Sequence, residues 1–90
     1  MSTWIVNARG HGSSIYHVHM PQGVINRHST VLANITEIGE APGEPRDFPY
    51  IGAAAMEIRN IAPRDDGIVD VWVEIDFDTD LDFRMHLIVF

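Results

Sequence analysis

His17 and His19 stand two residues apart in the stretch SIYHVHM, residues 14–20. On an extended chain that spacing projects both imidazoles to one side, and a neutral imidazole is a common ligand for zinc, copper, nickel or iron. Two ligands do not complete a site. His86 and Glu74 are the residues the rest of the chain offers as third and fourth, and three histidines with one carboxylate would suit a catalytic divalent metal with an open position. No acidic residue follows the pair in HVHMPQG. The competing reading is that His17 and His19 are surface or interface histidines bonded to neighbours.

A second cluster is DFDTDLD, where Asp76, Asp78, Asp80 and Asp82 gather hard oxygen atoms of the kind calcium takes. Counted from Asp76, the sixth position is Leu81 rather than glycine and the twelfth is Leu87 rather than glutamate, so the stretch is not an EF-hand loop. The plainer expectation is an acidic turn that keeps a sheet edge soluble and pairs with Arg84. Nucleophilic catalysis finds little support. Ser13 and Ser14 follow GHG, with His11 nearby, but no G-x-S-x-G elbow is present. Asn34 to Thr36 match a glycosylation acceptor inside an expected strand.

Composition narrows the classes further. There is no cysteine, which removes thiolate chemistry, Cys-type zinc sites and disulfides. All six basic residues are arginine, so lysine Schiff-base chemistry is excluded as well. A net charge of −7 repels phosphate backbones, and nucleic acid is set aside as a partner. No run of 18 apolar residues occurs and the first residues lack a charged, apolar leader pattern. The expectation is a soluble cytoplasmic protein that does not enter membranes.

The elements that must position these residues are strands. Alternation and β-branched runs recur between Gly, Pro and Asp clusters, and the pattern predicts six strands over 3–9, 14–20, 28–38, 52–61, 68–77 and 83–90. In IVDVWVEIDF, Val69, Val71, Val73, Ile75 and Phe77 share one face and Asp70, Glu74 and Asp76 the other. FRMHLIVF repeats this with Phe83, Met85, Leu87 and Val89 inward. Ala54, Met56 and Ile58 are expected inward in the fourth strand, and Trp4, Val6 and Ala8 against Tyr16, Val18 and Met20. RGHGSS, APRDDG and DTDLD are read as hairpin turns, the last pairing Phe77 with Phe83 and Trp72 with Ile88. GEAPGEPRDFPY, with Pro42, Pro45 and Pro49, is the long connection.

Ninety residues make one domain, 1–90, and the fold expected is all-β, a compact six-stranded antiparallel β-sandwich, with a small β-barrel as the alternative. A chain of this length buries only ~60 to 65% of its unfolded surface. Against that thin margin, the expected outer face of the last two strands is apolar at one end, where Ile68, Trp72, Ile88 and Phe90 gather. Burying a large apolar side chain is worth ~1.5–3 kcal/mol, so this surface predicts a subunit interface or a ligand platform, the alternative being that the chain covers it itself, with the proline-rich segment. The sequence therefore reads as a non-enzymatic, homo-oligomeric binding or assembly module without a cofactor. It would take a small molecule or protein partner, carbohydrate among them, with Trp72, Tyr50 or Tyr16 stacking on a sugar ring. The alternative is a small metal-dependent enzyme or metal-binding protein using His17, His19, His86 and Glu74.

Overall fold

The computed structural model describes residues 1–39 and 48–90. It is all-β, with seven strands: β1 (Ser2–Gly10), β2 (Gly12–His19), β3 (Val31–Gly39), β4 (Phe48–Tyr50), β5 (Ala55–Pro63), β6 (Ile68–Asp76) and β7 (Leu81–Val89). They form two antiparallel sheets, a four-stranded one in the order β1-β7-β3-β4 and a three-stranded one in the order β2-β6-β5. The short β4 is the strand that the sequence pattern does not announce. Pro42 and Pro45 of the proline-rich connection lie outside the described residues; Pro49 sits within β4, opposite Ile38.

The core follows from the period-two pattern. Val69, Val71, Val73 and Ile75 of β6 and Phe83, Met85 and Leu87 of β7 are essentially inaccessible to solvent. Trp4, Val6, Ala8, Tyr16 and Val18 pack against them, as the alternation predicts. The ring of Tyr16 meets Phe83 edge-on, with centroids 5.5 Å apart. In β5 the register slips between Ile58 and Asn60, so Arg59 is an extra residue. That bulge lets Ile58 and Ile61 both face the core although they are three apart, an odd spacing that an unbroken strand would send to opposite faces.

One of the three expected hairpins forms. At APRDDG, Arg64 N–H donates to the Ile68 carbonyl at 2.9 Å, and Gly67 takes φ +85° to close the β5-β6 turn. The other two are corrected. β6 does not pair with β7, and the expected register of Phe77 on Phe83 and Trp72 on Ile88 does not occur; residues 77–80 carry the chain from one sheet to the other. Likewise β1 and β2 belong to different sheets, joined by a corner at His11 and Gly12, the latter at φ +69°. The physical reason is the same in both: each strand of the pair has one apolar face, and turning the corner lays those faces against each other instead of side by side.

The two corners lie next to each other, because β1 pairs with β7 and β2 with β6. Polar side chains bridge them. His11 Nδ1 is 2.6 Å from Asp80 Oδ1, and Arg9 Nη1 donates to Asp82 Oδ1 at 3.1 Å. Phe77, expected inward, is consequently well exposed at the corner, while Phe83 is fully enclosed.

Candidate functional site

The outer face of β2-β6-β5 is built in rows across three strands. Trp72 on the central strand has Ile15 on one side and Asn60 on the other; the next row is His17, Asp70 and Ala62, and the row on the opposite side is Ser13, Glu74 and Glu57. Trp72 keeps 39% of its surface accessible in the middle of this face. Its indole is pinned: Nε1–H donates to Ser13 Oγ at 2.7 Å, and the Arg59 guanidinium lies 5.6 Å from the ring centroid. Arg59 is held in turn by Glu57 at 3.0 Å and Glu74 at 3.4 Å, on the Ser13 side of the ring. Continued without the bulge, the register would set Arg59 itself opposite Trp72; the bulge puts Asn60 there and leaves Arg59 beside the ring.

On the other side of the indole is a shallow recess of about 250 Å³ lined by Ile15, His17, Asn60, Ala62, Asp70 and Trp72. His17 Nδ1 is 2.6 Å from Asp70 Oδ1, and since a carboxylate can only accept, Nδ1–H is the donor, with Nε2 on the free side of the ring. Arg64 Nη1 lies 3.5 Å from the same oxygen. The His17 hydrogen bond is the main reason that the Asp70 carboxyl is held below the ordinary carboxylate range; partial burial opposes it and Arg64 adds to it. The recess therefore has an apolar floor with a fixed carboxylate, an imidazole and an amide on its rim. Such a volume fits one ring-sized ligand rather than a large cofactor.

The structure divides the other residues singled out from the sequence. Ile68 lies on the Trp72 face, opposite His19. Ile88 is on the outer face of the other sheet, between Thr3 and Leu32, and Phe90 follows it just beyond β7. The single patch expected from Trp72, Ile68, Ile88 and Phe90 is therefore corrected to two patches on opposite faces of the sandwich. On the second face Ile88 sits with Ile5 and Leu32, which are 62% and 53% exposed.

The expected metal ligands are not brought together. His17 and His19 share the face of β2, but Glu74 is engaged by Arg59, and His86 lies on the far sheet between Ile5 and Asn34. The Asp quartet is dispersed as well: Asp80 pairs with His11, Asp82 with Arg9, Asp76 stands opposite Ala55, and Asp78 is exposed at the corner. Among the described residues no three His, Asp or Glu converge as a metal site.

Ile15 and Asn60 line the recess while Ser13 and Arg59 hold the indole from its other side, and of these four only Ser13, as a serine near His11, stands out in the sequence. The alternation that puts His17 outward puts Ser13 and Ile15 outward with it, and the alternation of Glu57 with Arg59 does the same for Arg59; only Asn60 depends on the bulge and carried no signal. A further surprise is Glu37, buried on the inward face of β3 opposite Phe83. Tyr50 O–H donates to its Oε2 at 2.7 Å, while Oε1 is buried without a partner. That hydrogen bond is the main cause of a Tyr50 pKa above the ordinary tyrosine value.

These features define a small antiparallel β-sandwich carrying a pinned indole and a polar rim on its three-stranded sheet. Comparison with protein-family models, curated proteins and solved structures found no match for the chain.

Proposed function

We propose that this chain is a non-enzymatic binding module that works as a homo-oligomer, and that its ligand face is the outer face of β2-β6-β5. The observation that carries the reading is the immobilised, partly exposed Trp72 beside a recess rimmed by His17, Asp70 and Asn60. An indole face next to fixed acceptors and an amide matches a compact ring that is apolar on one side and hydroxylated at its edge, which is the chemistry of a neutral sugar. A binding role, rather than catalysis, is favoured because the Asp70 carboxyl titrates below the ordinary carboxylate range. It is a good acceptor at neutral pH and a poor general acid or base there. Assembly is favoured by the second apolar patch of Ile5, Leu32 and Ile88, since exposed apolar clusters commonly mark contacts between proteins.

The test is amide chemical-shift titration of the protein with neutral mono- and disaccharides up to tens of millimolar. Saturable shifts should map to Ile15, Asn60, Asp70 and Trp72 and disappear in Trp72→Ala. No saturable shift with any of them, or shifts confined to the other sheet, would remove the ligand assignment.

A further inference from the structure

Among the described residues the sandwich has four edge strands, and three properties separate two of them from the rest. β4 is three residues long and contains Pro49. β5 carries the bulge at Arg59 and ends at Pro63. The Arg64 N–H to Ile68 carbonyl bond fixes the phase of the β5-β6 ladder, and in an antiparallel ladder alternate residues point their amides to opposite sides, so Ile61 and Pro63 are directed to the open edge. Neither offers a free donor there: Pro63 has no N–H, and the Ile61 N–H is taken by Asn60 Oδ1 at 2.9 Å. Short length, proline and bulges are the usual protections against edge pairing. β1 and β2 have none of them. They run nine and eight residues in unbroken register without proline, and among the described residues nothing pairs with their outer sides.

The amides that β2 leaves open can be named. Met20 N–H donates to the Gly67 carbonyl at 2.8 Å in continuation of the β2-β6 register, so Val18, Tyr16, Ser14 and Gly12 bond to β6. Ser13, Ile15, His17 and His19 therefore present their N–H and C=O groups outward. This edge also contains no Asp, Glu or Arg, in a chain of net charge −7. Two copies meeting along it bring no carboxylates face to face.

We infer that β2 is the seam of a two-fold dimer, pairing antiparallel with β2 of a second copy about Tyr16. This deepens and rests on the homo-oligomer reading above, but places the two-fold contact on the β2 edge, apart from the Ile5, Leu32 and Ile88 patch, which the seam leaves open for a separate contact. In that register Ile15 faces His17 of the second copy and Ser13 faces His19, so every outward group on both strands finds a partner. Four such pairs with two bonds each make about eight hydrogen bonds. That count falls within the roughly ten direct hydrogen bonds, give or take five, of a typical interface. The product is a continuous six-stranded sheet, β5-β6-β2-β2-β6-β5.

The chain has no native cysteine, so engineered ones report without background. Paired residues of this kind have Cα atoms ~5.5 Å apart, within the reach of a disulfide. Under mild oxidation Ser13→Cys/His19→Cys should become a covalent dimer, whereas each single variant stays unlinked, because neither residue faces itself across the dyad. Ile15→Lys, at an exposed position that folding does not depend on, should raise the dimer dissociation constant at least tenfold in sedimentation velocity. Leu32→Lys on the other sheet should leave it unchanged. If the wild-type protein is a monomer at millimolar concentration, both the seam and the assembly reading fall. An oligomer that Leu32→Lys dissociates, that Ile15→Lys does not, and whose cysteine pair fails to link overturns the seam alone.

Discussion

Phe83 and Phe77 make the sharpest test of the fold, because six residues apart they look alike in the sequence and differ completely in the structure. Phe83 is 0% exposed and touches Tyr16 edge-on, whereas Phe77 is 38% exposed at the corner between the sheets. Replacing a buried phenylalanine by alanine costs about 3–5 kcal/mol through lost transfer energy and the cavity left behind. For Phe77 no enclosed cavity forms, and only part of the ~1.5–3 kcal/mol of full burial is at stake, about 1–2 kcal/mol. A domain of this size has roughly 5–13 kcal/mol in total, so Phe83→Ala removes about a quarter or more of it and Phe77→Ala about a third as much as that. Urea denaturation followed by tryptophan fluorescence, at one protein concentration so that assembly contributes equally, reads the difference. With a slope of about 2 kcal/mol/M, Phe83→Ala should lower the midpoint by about 2 M and Phe77→Ala by under 1 M. Equal losses would mean that both rings are enclosed, as a β6-β7 hairpin requires, and would refute the two-sheet arrangement.

Two titrations follow from the polar pairs. In His17→Ala the Asp70 carboxyl loses the largest cause of its depressed pKa, so its midpoint, measured by side-chain carboxyl NMR, should rise toward the ordinary value. Because a depressed carboxylate stabilises the fold above its unfolded pKa and loses that contribution as pH falls through the folded one, the gain of the wild type over the variant should be complete above about pH 4 and shrink below it. Tyr16 and Tyr50 both ionise above the ordinary value, Tyr16 mainly through burial and Tyr50 mainly through its hydrogen bond to Glu37. Their contribution to stability is complete below about pH 10 and is lost as pH rises through the folded values. In Glu37→Gln the phenol absorbance titration should therefore show one tyrosine returning toward the ordinary value and the other unmoved; two unmoved tyrosines would contradict the Glu37 contact.

Strand phase was legible in the sequence and strand partnership was not. Val69 to Ile75 and Phe83 to Val89 announce which residues face inward because alternation is a property of one strand alone. Which strand lies beside which depends on whether a short polar connection turns within a sheet or between sheets, and DTDLD and APRDDG look equally turn-like although only the second makes a hairpin. Gly67 at positive φ distinguishes APRDDG, yet Gly12 at positive φ marks a corner between sheets, so glycine alone does not decide. The displaced Ile88 and Phe90 follow directly from that ambiguity. So does the scattering of the metal candidates, since His86 would have stood opposite Glu74 in the expected hairpin. Trp72 was legible as a large apolar group on an otherwise polar face, but its recess was not, because Asn60 reaches it through a bulge. Glu37 was hidden for another reason: it occupies the fourth inward position after Val31, Ala33 and Ile35, where an acidic residue reads as the end of a strand's buried part.

The two proposals share one element, and this has consequences for how the molecule would work. β2 supplies Ile15 and His17 to the recess through its side chains and the same two residues to the open edge through their amides. In an antiparallel seam about Tyr16, Ile15 of each copy would gain His17 of the other as a neighbour on the same face. Both recesses would then open on one side of a single sheet, close to the dyad. Under these two proposals, pairing of β2 would also order the residues that line the recess, so assembly and binding would be linked, and a ligand that prefers the paired form would strengthen the pairing by the same factor. Two recesses on one rigid sheet also suit a repeating ligand better than a single ring, because the second contact is made at high effective concentration. An oligosaccharide would be favoured over its monomer by more than the number of rings alone provides.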